Sequence, residues 1–121
     1  MFLQLNHQNL EVYKSARALT VECYKLSNKF PAEERFNMIQ QIRRASLSVV
    51  LNIAEGCSRK SEIERKRFFE ISRGSLIEID AALDTASELG YFDAKNCEVL
   101  GELMNKVFGM LSKMLRTQVG H

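Results

Sequence analysis

Four stretches of this sequence repeat apolar residues at alternating spacings of three and four positions, over about residues 9–28, 32–55, 61–89 and 93–117. Such spacing places the apolar side chains on one face of an α-helix, because a helix turns once every 3.6 residues. The third stretch shows the pattern in full, with a seam of Phe69, Ser72, Leu76, Ile79, Leu83 and Ala86. No segment alternates apolar and polar residues as a half-buried strand does. The pattern therefore predicts an all-α protein.

Residues that start or stop helices lie at the boundaries of these stretches. Pro31 favours the start of the second helix, because proline suits a first turn. Gly56 is a candidate C-cap of that helix, and Gly90 closes the third. Ser61 and Glu64 have the spacing of a capping box, which predicts that the third helix begins beside Ser61.

Short links between the predicted helices decide their arrangement. Links of about 3–5 residues leave consecutive helices antiparallel. We therefore predict one domain over residues 1–121, an antiparallel up-down-up-down four-helix bundle. The apolar stripes of the second and fourth helices are wider than a bundle core needs, which leaves an oligomer interface on part of that surface as an open alternative.

Composition and cysteine spacing indicate the class of protein. With 45% hydrophobic and 26% charged residues, the chain has the composition of a globular domain. No apolar run approaches the ~20 residues of a membrane helix, and residues 1–7 do not resemble a signal peptide. Cys23, Cys57 and Cys97 are widely spaced, as is typical of reduced thiols. We expect a cytoplasmic protein with no membrane association.

The sequence lacks the residue sets of common metal sites and active sites. Its two histidines, His7 and His121, lie near the ends, so no Glu-x-x-His pair or Cys–His set can form a metal site. No histidine accompanies the helical serines as a base. The Arg116–His121 spacing matches helical ribonucleases of the HEPN type, and we interpret it as chance because chain ends fray. We predict no catalytic residues, no metal ligands, no cofactor and no enzymatic activity.

Charge is distributed unevenly, although the formal net charge is only +2. Residues 35–73 hold nine basic and four acidic residues, a net charge of +5, whereas residues 74–104 hold seven acidic residues and one basic residue. Guanidinium groups suit phosphate because their forked donors stay charged. The pattern predicts a nucleic-acid-binding surface at the hairpin between helices two and three, formed by Arg43, Arg59, Lys60, Arg65, Lys66, Arg67 and Arg73. The alternative is a solvated face with ion pairs such as Glu62–Lys66 and Glu64–Arg67.

Four segments between residues 41 and 78 carry a family resemblance. They are Gln41-Ile42-Arg43-Arg44-Ala45-Ser46, Asn52-Ile53-Ala54-Glu55-Gly56, Arg59 and Gly74-Ser75-Leu76-Ile77-Glu78. Together they resemble the bacterial "four helix bundle protein" family. That family includes proteins encoded in intervening sequences of the large-subunit ribosomal RNA, and accessory variability proteins of diversity-generating retroelements.

The resemblance implies partners and a structural signature. It implies a four-helix bundle that assembles as a homo-oligomer, commonly a homopentamer, and that in the retroelement branch binds nucleic acid and a reverse transcriptase. It places Arg44, Asn52, Glu55, Gly56, Gly74 and Ser75 in a structural signature. We expect Asn52 and Glu55 to form a polar network with Arg44, and Gly74–Ser75 to allow a close helix approach.

Two functions follow from the sequence as hypotheses. The first is a non-enzymatic helical scaffold that binds RNA or DNA through the basic hairpin. The second is a protein–protein adaptor without nucleic-acid binding, for example a partner of a reverse transcriptase, which uses the acidic residues of 74–104 or the wide apolar stripes.

Overall fold

Four helices account for most of residues 2–116, which are the residues that the computed structural model describes. Their bounds are Glu11–Ser27 (α1), Met38–Ser58 (α2), Glu62–Glu88 (α3) and Glu98–Arg116 (α4), with 3-10 turns at Asn6–Asn9, Ala32–Glu34 and Ala94–Asn96. No strand occurs within residues 2–116, which confirms the all-α prediction. Residue 117, the predicted end of the fourth helix, and the histidine of the Arg116–His121 motif lie outside the described residues.

Each helix packs against two others, so the four form a closed bundle. α1 contacts α2 and α4, and α3 contacts the same two helices from the opposite side. The α1–α2 and α3–α4 connections therefore lie at one end, and the α2–α3 link lies at the other. The predicted antiparallel four-helix bundle is confirmed. Among residues 2–116, no helix combines the length and the apolar character needed to cross a membrane.

The predicted apolar seam of α3 and the buried face of α2 form the centre of the core. All six predicted seam residues of α3 are buried, from Phe69 to Ala86. In α2, Ile42, Val49 and Ile53 are almost fully buried. Ser72 lies between the two helices and donates its hydroxyl to the Val49 carbonyl at 2.8 Å. A small polar side chain is tolerated there because this hydrogen bond satisfies it.

α2 begins at Met38, six residues later than the predicted start at residue 32. Residues Ala32–Glu34 after Pro31 form only a 3-10 turn. Asn37 has a non-helical backbone conformation, and α2 begins at the next residue. The carboxylate of Glu34 accepts from the Asn37 amide at 3.1 Å and from the Met38 backbone N–H at 3.4 Å. Glu34 therefore satisfies a first-turn donor of α2, and the predicted start was wrong.

Side chains of the α1–α2 connection and of the α3–α4 connection meet at one end of the bundle. The Phe30 ring lies 5.5 Å from the Tyr91 ring and 6.1 Å from the Phe92 ring, measured between centroids. The Tyr91 hydroxyl donates to the Glu34 carboxylate at 2.7 Å. This hydrogen bond holds the pKa of Glu34 below its ordinary value and raises the pKa of Tyr91. The contact fastens the α3–α4 connection to the α1–α2 connection.

The Tyr91–Glu34 hydrogen bond makes the stability of the fold depend on pH. Since the pKa of Glu34 is lowered in the folded state, its contribution is complete above the unfolded-state pKa and is lost as pH falls through the folded-state pKa. We expect Tyr91→Phe to lower the melting temperature at neutral pH and the gap from wild type to shrink in acid. Thermal melts followed by circular dichroism measure both. A gap that stays constant with pH would contradict the assignment.

Helix ends confirm some boundary predictions and overturn others. The Ser61 hydroxyl accepts from the Glu64 backbone N–H at 3.3 Å, which is one of the two hydrogen bonds of the predicted capping box, while the Glu64 carboxylate lies 3.9 Å from the Arg59 guanidinium. Gly90 follows α3 with a φ of +79°, a left-handed conformation that favours glycine. Gly56, the predicted C-cap, instead lies inside α2, two residues before its end. Its role is in packing.

Candidate nucleic-acid interface

The α2–α3 link is short enough to gather the basic residues of both helices. α2 ends at Ser58 and α3 begins at Glu62, so three residues connect them. Arg59 and Lys60 lie in that link, and Arg65 to Arg67 lie in the first two turns of α3. We call the five cationic residues Arg59, Lys60, Arg65, Lys66 and Arg67 the basic hairpin.

Arg59 is held in place by acidic and aromatic neighbours. Its guanidinium pairs with the Glu55 carboxylate and lies 3.9 Å from the Glu64 carboxylate. The same group lies 5.1 Å from the centre of the Phe68 ring. The Arg59 side chain is 42% exposed. It therefore presents to solvent a positioned cation whose charge is partly neutralised.

Arg65, which lies in α3, forms hydrogen bonds at the C-terminal end of α2. Its guanidinium donates to the carbonyls of Cys57 and Arg59, each at 3.1 Å. Carbonyls at a helix C-terminus lack intrahelical donors and carry partial negative charge, so a cation there is stabilising. Arg65 is half-buried and is used within the chain, so its main role is to hold the link in shape.

Two cations of the basic hairpin have no partner among residues 2–116. Lys66 pairs with Glu62 at 3.6 Å, which is the ion pair expected from the i, i+4 spacing. Glu64 pairs with Arg59 rather than with Arg67, so the predicted Glu64–Arg67 pair was wrong. Lys60 and Arg67 are exposed and form no ion pair or hydrogen bond within residues 2–116. The described residues therefore do not neutralise the charges of these two side chains.

The structure places Arg43 and Arg73 away from the basic hairpin. Arg43 donates to the Ser27 hydroxyl at 2.9 Å and to the Asn28 side-chain carbonyl at 2.6 Å, and its guanidinium lies 4.9 Å from the Tyr24 ring centre. It therefore joins α2 to the end of α1, at the opposite end of the bundle. Arg73 donates to the Ser112 hydroxyl at 3.2 Å and joins α3 to α4.

The signature residues separate into a polar contact and a packing contact. The Asn52 amide donates to the carbonyl and hydroxyl of Ser48, and the Ser75 hydroxyl donates to the Ser48 hydroxyl at 2.8 Å. This network joins α2 to α3 without the predicted members Arg44 and Glu55. Glu55 pairs with Arg59, and Arg44 is exposed with no ion pair or hydrogen bond inside the described chain.

The close helix approach occurs at Gly56, and the prediction for Gly74 was wrong. A Cβ at position 56 would lie 2.6 Å from the Phe69 ring and 3.2 Å from the Arg65 carbonyl. A Cβ at position 74 would have no neighbour within 4 Å. Gly74 is therefore not required for packing within this chain, whereas Gly56 lets α3 approach the last turns of α2.

One exposed apolar residue of the basic hairpin was not identified from the sequence. Ile63 lies in the first turn of α3 and is 83% exposed. It is one turn before Arg67 on the same face of the helix, so the two side chains are neighbours. The sequence signal that could have identified Ile63 is that it is an apolar residue outside the seam of the third helix. It places an exposed apolar side chain beside the cations of the basic hairpin.

The described residues contain no arrangement that points to metal or thiol chemistry. Among residues 2–116, no group of three or more His, Cys, Asp and Glu side chains could hold a metal ion. Cys23, Cys57 and Cys97 are free thiols. Burial raises the pKa of Cys23 to about 12, which keeps it protonated as a small core residue.

Comparison with known proteins places this bundle in a family. The model of the 23S rRNA-intervening sequence protein family matches residues 8–113. The chain belongs to that family. The match spans all four helices and includes the basic hairpin. It confirms the family resemblance seen in the sequence. No curated protein shows significant similarity to the chain.

A solved structure supports the fold of this family member. It is a protein of unknown function from the S23 ribosomal protein family of Bacteroides thetaiotaomicron VPI-5482. The two share 20% sequence identity, and the superposition covers 88% of this chain and 99% of the other, with a TM-score of 0.79. At this identity the likeness shows a shared fold.

Proposed function

We propose that this protein is a non-enzymatic, homo-oligomeric helical scaffold that binds RNA or DNA through the basic hairpin. The observation that carries the proposal is that Lys60 and Arg67, beside the positioned side chain of Arg59, are exposed and have no partner in the part of the chain that the structure describes. Exposed cations at one end of a rigid bundle suit a sugar–phosphate backbone, because phosphate contacts supply most non-specific affinity. The family name also supports a relation to ribosomal RNA.

Homo-oligomeric assembly would strengthen binding at a small basic surface. Lys60, Arg67 and the partly neutralised Arg59 give few phosphate contacts in a single chain. Repeating this surface in each copy makes later contacts intramolecular, which raises the overall affinity. The homopentamer implied by the resemblance belongs to this proposal. Arg43, Arg65 and Arg73 are left out of the contact surface because each is used within the chain.

The double charge reversal Lys60→Glu/Arg67→Glu tests the proposed surface. With duplex DNA and a structured RNA carrying a fluorescent label, anisotropy titrations at several salt concentrations give the affinity and its salt dependence. For duplex DNA the log–log slope is about −0.9 per phosphate neutralised. We expect the variant to lose at least about tenfold in affinity and to show a slope shallower by roughly two, since each contact contributes about one.

A matched variant separates a local surface from overall charge. Lys25→Glu/Lys29→Glu changes the net charge by the same amount at the end of α1, at the opposite end of the bundle. We expect it to retain most of the affinity. Equal losses in both variants would mean that net charge alone drives binding. Unchanged binding in Lys60→Glu/Arg67→Glu, with a normal circular dichroism spectrum, would overturn the assignment of the surface.

The acidic segment over residues 74–104 favours a second candidate function. Its exposed carboxylates and the clefts along the bundle suit a protein partner better than a nucleic acid, because phosphate is repelled by carboxylates. In that case the protein is an adaptor that does not bind nucleic acid. Absence of binding to both RNA and DNA at low salt would favour the adaptor over the scaffold.

A further inference from the structure

The outer side of α1 and α2 forms an apolar cleft with a basic edge. The cleft has a volume of about 510 Å³, and its apolar lining includes Val21, Leu47 and Val50. Val21 is 52% exposed and Leu47 is 43% exposed, and both line this one cleft, so their exposed apolar surfaces lie close together. Lys14 and Arg17 form the edge of this cleft.

The positive charges of that edge are not neutralised within the described chain. Lys14 forms no ion pair or hydrogen bond within residues 2–116. The Arg17 guanidinium lies 5.8 Å from the centre of the Tyr13 ring and pairs with no carboxylate in that range. The α1–α2 face therefore combines exposed apolar area with two cations that are available to acidic groups.

The opposite side of the bundle, between α3 and α4, has the complementary character. Its cleft has a volume of about 320 Å³ and is lined by Ile77, Met104 and Phe108, with Asp80 at its edge. Ile77 is 56% exposed and Phe108 is 40% exposed. A second cleft of about 220 Å³ continues along the same two helices, and both Asp80 and Asp84 contribute to it.

Two carboxylates on the α3–α4 face are likewise not neutralised by any residue that the structure describes. Asp80 and Asp84 are exposed and form no ion pair within the described residues. Arg73 lies beside this cleft, where it contacts the Ser112 hydroxyl and lies 5.8 Å from the Phe108 ring centre. Its interactions lie within the chain, at the end of the cleft away from Asp84.

We propose that the α1–α2 face of one copy packs against the α3–α4 face of a second copy. Apolar side chains would be buried between the faces, with Lys14 and Arg17 of one copy facing Asp80 and Asp84 of the other. The argument rests on charge complementarity, because each face leaves unpaired the charges that the other can neutralise. This inference deepens the homo-oligomeric part of the proposed function and does not depend on nucleic-acid binding.

The two faces lie on opposite sides of the bundle, which determines the kind of assembly. A contact between unlike faces is heterologous, so each copy keeps one free face of each kind after binding a neighbour. Such a contact continues from copy to copy until it closes into a ring or extends as a filament. A symmetric contact between like faces would stop at a dimer and would place like charges together.

Variants that disable one face each provide a test specific to a heterologous contact. Arg17→Glu/Val21→Glu disables the α1–α2 face, and Ile77→Lys/Asp80→Lys disables the α3–α4 face. Light scattering coupled to gel filtration, on nuclease-treated protein at micromolar concentration, measures the mass. We expect an oligomer for wild type and 13.9 kDa monomers for each variant alone. An equal mixture should form a species of twice the monomer mass, because one intact face of each kind remains.

The controls keep this test separate from the test of nucleic-acid binding. Lys60→Glu/Arg67→Glu should keep the wild-type mass, since the basic hairpin lies outside both faces. If a double variant loses its helical circular dichroism signal, the single reversals Arg17→Glu and Asp80→Lys replace it. A monomeric wild type, a variant that keeps the wild-type mass, or a mixture that stays monomeric would each overturn the proposal.

Discussion

Gly56→Ala should destabilise the bundle by about 1–3 kcal/mol, as overpacking of a tight core contact does. The new methyl group would lie 2.6 Å from one carbon of the Phe69 ring and 3.2 Å from the Arg65 carbonyl. Phe69 is only 4% exposed, so its ring cannot turn away into solvent. The last turns of α2 and the first turns of α3 must move apart instead. Urea unfolding followed by circular dichroism measures the loss.

Gly74→Ala is the matched control for this effect. Position 74 is also inside a helix, but a methyl group there would meet no atom within 4 Å. Alanine is favoured over glycine in a helix interior by about 1 kcal/mol. We therefore expect Gly74→Ala to raise the free energy of unfolding by up to about that amount. Opposite signs at the two positions are the expected result, and destabilisation by both substitutions would contradict the packing described for α3.

Ile79→Ala should cost about 2–5 kcal/mol of unfolding free energy, the usual range for removing a large buried side chain. Ile79 is fully buried at the centre of the α3 seam. Truncation removes three carbon atoms from the core and leaves a cavity that the surrounding helices fill only in part. A domain of this size has a total stability of about 5–15 kcal/mol, so a large part of it would be lost.

Ile71→Ala provides the comparison for Ile79→Ala on the same helix. Ile71 is 46% exposed, so its truncation removes less buried area than that of Ile79 and leaves no enclosed cavity. We expect a cost of about 1 kcal/mol. Denaturant unfolding of the two variants side by side measures the difference. Equal losses would show that the α3 seam is not the centre of the core.

The helices could be predicted from the sequence where a local rule governs them. The seam from Phe69 to Ala86 follows a spacing that only a helix satisfies, and the Ser61 cap and Gly90 turn involve neighbouring residues. The start of α2 could not be predicted in this way. It depends on Glu34, whose carboxylate also binds Tyr91 from the other connection, 57 residues away. A contact of that kind is set by the tertiary structure.

The composition of the candidate site was predictable, but the roles of its residues were not. The sequence identifies every cation in residues 35–73. It does not distinguish the cations that are bound within the chain from those that could bind phosphate. The structure separates them by partner: Arg43 binds the end of α1 and Arg65 binds link carbonyls, whereas Lys60 and Arg67 of the basic hairpin have no partner within residues 2–116. The sequence likewise does not show whether a helical glycine faces a neighbouring helix or the solvent. For this reason Gly74 rather than Gly56 was expected at the close approach.

The uneven contribution of the helices to the core has a consequence for motion. α2 and α3 each bury seven residues, whereas α4 buries Leu100, Val107 and Leu111 alone among its described positions. Detaching α4 therefore exposes less apolar surface than separating α2 from α3. Amide hydrogens of α4 should exchange with solvent through a partial opening, at a lower free energy than global unfolding requires. The α2–α3 pair, with the basic hairpin at its end, would remain folded during such openings.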